Sequence, residues 1–240
     1  MSGHSKWATI KRKKGAIDAA RSQVFQKLAK EIYVAAKSGD VDPKNNSSLR
    51  MVIEKAKSAN MPNDRINAAI EKAHGKNNTE VYEFIRYEGY GSSGVAIMVD
   101  CLTDNRNRTA SMVRAAFTKR GGNLGTDGSV AYLFERRGQI VFEKSSFSED
   151  DIMTIALDNG ATDFSLNDDT FEVVTAPENF ILVKEALENF GVKDFLVSEV
   201  SFIPSNYIEV NDETSEKLYN LIESLEELED VQNVYHNALI

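Results

Sequence analysis

Residues 139–203 read QIVFEKSSFSEDDIMTIALDNGATDFSLNDDTFEVVTAPENFILVKEALENFGVKDFLVSEVSFI. Short runs rich in β-branched and aromatic residues alternate there with stretches of helical period. Gln139–Glu143 reads as a strand. Ser148, followed by Glu149, Asp150 and Asp151, marks a helix start, because acidic residues suit the positive end of a helix dipole. That helix stops at Gly160. Thr162–Leu166 and Phe171–Thr175 are strands that turn through Asn167, Asp168 and Asp169. Pro177–Phe190 is a helix closed by Gly191, and Phe195–Ile203 is the last strand. The order β-α-β-β-α-β is that of the ferredoxin-like split βαβ unit, so the chain reads as α+β.

On either side lie two incomplete pieces. Upstream, Tyr82–Tyr90 and Gly94–Leu102 read as strands joined through Gly91, Ser92 and Ser93. Arg106–Arg120 reads as a helix with Met112, Val113, Ala116 and Phe117 inward, and Ser129–Phe134 as a strand. Downstream, residues 206–240 read as strand, helix, strand, with Leu218, Leu221, Ile222, Leu225 and Leu228 as the helix stripe. Neither piece buries a core alone. They are expected to complete each other, giving a discontinuous α/β, ferredoxin-like domain (79–134 plus 205–240) that carries the acidic ferredoxin-like domain (135–204) as an insert.

Residues 1–78 have helical period throughout. Ile17, Val24, Leu28, Ile32 and Ala36 form one stripe, and Gly39 and Pro43 end it. A second helix turns Leu49, Val52, Ile53 and Ala56 inward. A third opens at Pro62, turns Ile66, Ala69, Ile70 and Ala73 inward, and stops at Gly75. Three such helices make a small bundle. The segment through about Gly15 has few apolar residues to pack and is expected to be mobile when free. Lys76–Thr79 is a polar linker.

The net charge of −9 hides a strong segregation. Residues 1–78 hold 16 basic and 7 acidic residues, a net of +9. Residues 79–134 hold 6 of each. Residues 135–240 hold 6 basic and 24 acidic, a net of −18. A local basic field attracts phosphate while the acidic part maintains solubility. The single cysteine, Cys101, excludes an internal disulfide framework and suits a reducing compartment. There is no secretory signal at the N-terminus and no run long enough to span a membrane, so a cytoplasmic protein is expected. His4, His74 and His236 have no zinc-ligand spacing, and no nucleophile elbow, metalloprotease or phosphate-loop motif occurs. The expectation is a binding protein and not an enzyme, with no cofactor and no small-molecule substrate.

Three stretches bear on nucleic acid. Lys6, Trp7, Lys11, Arg12, Lys13 and Lys14 put one aromatic beside a dense basic cluster. Cations neutralise phosphates, and a tryptophan can stack on an unpaired base; the alternative is that Trp7 plugs the bundle and the lysines are merely solvated. Arg106 and Arg108 sit in the first turn of a helix that Asp104 or Asn105 can cap. Cations there oppose the helix dipole unless an anion docks among them, or unless they pair with carboxylates such as Asp104 or Glu88. The glycine-rich loop 121–129 lacks nucleotide-loop spacing, and a helix cap followed by a strand entry accounts for it better than a phosphate cradle.

Several words of the sequence together resemble the YebC family: Gly3-His4-Ser5-Lys6-Trp7, residues 56–62 (AKSANMP), Tyr87-Glu88-Gly89-Tyr90-Gly91, residues 102–109 (LTDNRNRT), residues 121–125 (GGNLG) and residues 230–235 (DVQNVY). They run in order over nearly the whole chain. The resemblance implies an N-terminal helical bundle and two α/β domains, the outer one inserted. It also implies a nucleic-acid partner, either DNA for transcriptional regulation or rRNA and the ribosome for translation through difficult stretches such as consecutive prolines. Mitochondrial relatives are translational activators of an oxidase subunit. A scaffold that binds only proteins is the third reading. The sequence departs from the family pattern at Ser92-Ser93, where a proline is common, and at Lys11–Lys14, where a histidine often interrupts the basic run. Neither departure removes positive charge.

Overall fold

A computed structural model describes residues 17–75, 80–144, 147–167 and 169–240, with side chains from residue 21 onward. Lys6, Trp7, Lys11, Arg12, Lys13 and Lys14 lie outside the described residues, as do the linker 76–79 and Asp168.

Helices α1 (Ile17–Lys37), α2 (Ser47–Ser58) and α3 (Asn63–His74) form the helical domain. One buried side chain joins the first two. Asn46 Oδ1 accepts the Leu49 N–H at 3.0 Å, and its Nδ2 donates to the carbonyls of Ala35 and Asp40, both at 2.9 Å. It thereby serves the start of α2 and the end of α1 at once, satisfying groups that a helix leaves open at its ends. Leu28, Ile32 and Ala36 meet Leu49, Ile53, Ala56, Ile66 and Ala69 in the core. Val24, expected inward, is 43% exposed and Phe25 is buried instead. The inner stripe of α1 runs through 25, 28, 32 and 36, and position 24 falls just outside that arc at 100° per residue.

The second domain is a four-stranded antiparallel sheet of order β3-β1-β2-β9, built from β1 (Glu83–Tyr90), β2 (Ala96–Thr103), β3 (Asn123–Leu124) and β9 (Val231–His236). β9 comes from the far end of the chain, with His236 opposite Ile97. Helices α4 (Arg106–Lys119) and α7 (Asp212–Glu226) cover one face through Val113, Phe117, Leu218, Leu221 and Leu225. A Cβ on Gly89 would lie 2.6 Å from the Asn123 carbonyl and 2.9 Å from the Phe117 ring. Glycine there lets β3 and α4 close on β1. β10 (Ala238–Leu239) pairs in parallel with β8 (Ile208–Glu209). Two local expectations are corrected. Met112 is 41% exposed, while Thr109 takes an inner position on α4. Of the expected strand Ser129–Phe134 only Phe134 is extended; the rest holds a single 3-10 turn, Ala131–Leu133. The Glu88 carboxylate gathers the N–H groups of Gly128, Val130 and Ala131, which a strand would need for its ladder.

Phe134 opens the third domain. β4 (Phe134–Glu143), α5 (Glu149–Asp158), β5 (Ala161–Leu166), β6 (Thr170–Thr175), α6 (Phe180–Phe190) and β7 (Val197–Pro204) give the sheet order β5-β6-β4-β7 with every pair antiparallel. That is the ferredoxin-like arrangement read from the sequence. The second domain has the same two layers but reaches them with its hairpin first.

A cation lies in each seam between domains. Lys27 Nζ donates to the Glu226 carbonyl at 2.6 Å, beside Gln23 on the Glu226 and Glu227 carbonyls, at the C-terminus of α7. A lysine there suits both the open carbonyls and the dipole. The Arg86 guanidinium forks onto Asp100 at 2.7 and 3.0 Å and lies 4.3 Å from the Phe202 ring centroid, tying β1 and β2 to β7. Lys184 of α6 meets Glu54 of α2 at 3.1 Å and Glu188 at 2.7 Å.

A chain ending at Pro204 loses β9 from the edge of β2 and loses the apolar face of α7. The exposed edge and face should make it aggregate. The check is size-exclusion chromatography with thermal melting; the expected outcome is no monomeric, cooperatively melting species.

Candidate nucleic-acid interface

The turn from β2 into α4 is held by side chains. Thr103 Oγ1 accepts the Asn105 N–H at 2.8 Å, and Asn105 Oδ1 caps the helix by accepting the Arg108 N–H at 3.1 Å. The Arg108 guanidinium donates to Asp104 Oδ1 at 2.8 Å and to Asp230 Oδ2 at 2.7 Å. Asp104 is one of the two carboxylates expected from the sequence. The other, Glu88, is engaged elsewhere. The Asp230 side chain is only 7% exposed and also takes Thr109 Oγ1 at 2.8 Å, Thr103 Oγ1 at 3.3 Å and Lys30 Nζ at 3.4 Å. Burial pushes the Asp230 carboxyl up, but the hydrogen bonds from Arg108 and Thr109 and the charge of Lys30 outweigh it, leaving it below its ordinary 3.8. The same pairing makes Arg108 more basic than usual.

Arg106 has a different setting. Its side chain is 65% exposed and pairs with Glu83, itself 54% exposed, at 3.2 Å. An exposed pair of this kind contributes about 0–1 kcal/mol and is screened by salt, so an incoming phosphate can replace the carboxylate. Farther along α4, Arg114 is exposed with Asn107 and Ser111 on the open side of the helix. Helix α4 carries four cations and no acid. Sequence reading passed over Arg114, although its spacing from Asn107 and Ser111 is the helical signal that finds it.

The glycine-rich loop is internally filled. Glu88 Oε1 accepts from the Gly128 N–H at 2.8 Å, and Oε2 accepts from Val130 and Ala131, both at 2.7 Å. Burial raises this carboxyl, but the three N–H groups prevail and hold it below 4.5. Gly121, at φ +74°, ends α4 and delivers the chain to β3. The cap-and-entry reading accounts for the loop.

In the helical domain Arg21, Lys37, Lys44, Arg50, Lys57, Arg65 and Lys72 are exposed. Among the described residues there is no cluster of His, Cys, Asp and Glu suited to a metal ion, and no helix is long and apolar enough to cross a membrane. Burial pushes the Cys101 thiol up to about 12, so this residue packs as a small apolar group and not as a nucleophile.

Comparison with known proteins settles the family. Residues 5–76 match the profile described as TACO1/YebC protein N-terminal domain, and residues 82–238 match TACO1/YebC second and third domain. The chain belongs to the TACO1/YebC family. A relative from Geobacillus kaustophilus (strain HTA426), named "Probable transcriptional regulatory protein", is 54% identical over 239 residues, covering 99% of this chain and 97% of the relative. "Probable transcriptional regulatory protein YrbC" of Bacillus subtilis (strain 168) is 52% identical over 241 residues, covering 99% of each. A crystal structure of a conserved hypothetical protein from Aquifex aeolicus superposes with a TM-score of 0.79 at 43% identity, covering 92% of this chain and 91% of that one. The junction between the two profiles falls where the helical bundle gives way to β1.

The two arginines of the family word LTDNRNRT should therefore separate on mutation. Arg108→Gln should lower the melting temperature, and Arg106→Gln should leave it unchanged. Asp230→Ala should destabilise by about 3 kcal/mol, the scale for removing one partner of a buried pair. Denaturant titration of the three variants checks this.

Acid should act through the same carboxyls. Asp230 and Glu88 are depressed in the folded chain, so their stabilisation is complete above the ordinary values of 3.8 and 4.5 and is lost as pH falls through the lower folded values. The denaturation midpoint should drop steeply below pH about 4, and Asp230→Asn should flatten that fall.

Proposed function

We propose that the protein is a regulator of gene expression that acts by binding the nucleic-acid backbone, with DNA as the target in transcriptional control. The observation that carries this reading is the segregation of charge, +9 in residues 1–78 against −18 in residues 135–240. It is supported by the transcriptional-regulator names of relatives that share more than half of the sequence. The arm residues Lys6, Lys11, Arg12, Lys13 and Lys14 supply phosphate contacts and Trp7 stacks on a base. Arg106, with Arg114, adds a second contact line on α4, and Arg108 holds the helix that presents them. Two linked sites bind with avidity when the chain between them spans the distance. Phosphate contact fixes register without reading sequence, so the same chemistry extends to rRNA and the ribosome.

The test is a salt titration of binding to duplex DNA and to folded RNA, with the full chain and with a chain lacking residues 1–14. Every cation that neutralises a phosphate adds about 0.9 to the steepness of log affinity against log salt on duplex DNA. Deleting the arm, with its five cations, should thus weaken binding and flatten that dependence by as much as about 4.5. An unchanged slope rules the arm out. Crosslinking in cells, with sequencing of attached DNA and attached RNA, assigns the target; recovery of rRNA in place of DNA moves the protein to translation.

A further inference from the structure

Between α1 and α3, where the chain enters β1, lies an open groove of about 360 Å³. Its surface is mostly apolar. Phe25 and Tyr33 come from α1, Ala68 and Ala69 from α3, and Tyr82 from the approach to β1. Tyr33 and Tyr82 meet edge to face with centroids 5.6 Å apart. Each of the three rings has a cation at its face. Lys30 lies 5.2 Å from the Tyr82 centroid, and Lys37 and Lys72 lie 5.2 and 5.8 Å from that of Tyr33. Arg21 and Arg65 each lie 5.6 Å from that of Phe25. The lining contains three cations, Lys30, Arg65 and Lys72, against one carboxylate, Glu80.

Glu80 shows what the cations accept. Its carboxylate takes Lys72 Nζ at 2.9 Å and the Tyr82 hydroxyl at 3.3 Å, and its carbonyl takes the Tyr33 hydroxyl at 2.8 Å and Lys37 Nζ. The side chain is 45% exposed. An anion thus already sits at this spot, held by groups that would hold a phosphate oxygen equally well, and it can swing away at small cost.

We propose that this groove is a binding site for an unpaired nucleotide, taking the base against its aromatic and alanine surface and the phosphate at Arg65 and Lys72 in place of Glu80. The proposal rests on the nucleic-acid reading above and assigns it a site on the folded part of the chain. An apolar surface with aromatic rings and neighbouring cations suits a ligand that couples a π-face to an anion. Bases in a duplex keep their faces stacked, so only an unpaired base offers one. Charge argues against the chain's own arm as occupant, since residues 1–14 carry five cations and no acid towards a rim that is already positive.

The experiment measures binding of a labelled oligopyrimidine, as single-stranded RNA, as single-stranded DNA and as a duplex, to the full chain and four variants. Tyr82→Leu and Arg65→Gln should each weaken single-strand binding about tenfold, the scale of one stacked base, and leave duplex affinity unchanged. Tyr82→Phe keeps the ring but loses a hydroxyl that reaches the anion position, so it should weaken single-strand binding clearly less than Tyr82→Leu, which separates stacking from loss of fold. Glu80→Gln should tighten single-strand binding. The stronger of the two single-stranded arms names the source of the base. Single-strand affinity that no variant changes overturns the groove and leaves the proposed function standing. No binding to any nucleic acid overturns both. A shift in the emission of Trp7, the one tryptophan, on Tyr82→Leu without any change in affinity would assign the groove to the arm and also overturn the proposal.

Discussion

Asp230 sits where β9 begins, with its carboxylate almost out of water, and four side chains converge on it. Thr103 comes from the end of β2, Arg108 and Thr109 from the start of α4, and Lys30 from α1. A lone buried carboxylate would be costly. This one is tolerated because two cations and two hydroxyls satisfy it together. The consequence is geometric: the residue that leads into β9 also braces the entry to α4 and meets a lysine of the helical domain. The sheet edge, the candidate interface helix and the first domain seam therefore share one anion.

The other seams follow the same logic. Arg86 is clamped between Asp100 and the Phe202 ring, and Lys184 is shared between Glu54 and Glu188. Fork geometry and stacking suit arginine at the first, whereas a single ammonium suffices at the second. Cations that close seams in this way are withdrawn from any interaction with phosphate. The charge count of a segment overstates what it can offer a partner, and burial of the counter-charge decides how much remains.

That distinction sorts the anion-seeking features of the chain. The acids opposite Arg108 and within the glycine-rich loop, Asp230 and Glu88, are buried and belong to the frame. The acids opposite Arg106 and Lys72, Glu83 and Glu80, are about half exposed. Exposed acids are exchangeable, because releasing them into water costs little. The chain thus fills its own anion sites with carboxylates, and a nucleic acid can take over only those whose carboxylate remains wet.

The sequence by itself determined much. Periodicity and glycine punctuation located the ferredoxin-like insert and the three amphipathic helices, since strands and helices repeat their apolar residues at different intervals. The charge blocks and the family words are properties of the chain alone. Tertiary structure decided the rest. Val24 and Met112 lie at the margins of their stripes, where a one-residue rotation turns a side chain from core to solvent. Residues 129–134 have strand composition, yet Glu88, some forty residues earlier, takes the N–H groups that a strand requires. Arg106 and Arg108 look alike in sequence, but Arg106 meets only the exposed Glu83, whereas Arg108 meets the buried Asp230 as well as the exposed Asp104. The aromatic groove joins residues 25, 33, 65, 72 and 82, which no local pattern connects. Local rules act over a few residues, whereas the partner of a charge and the neighbour of a ring are chosen by how the helices and sheets pack.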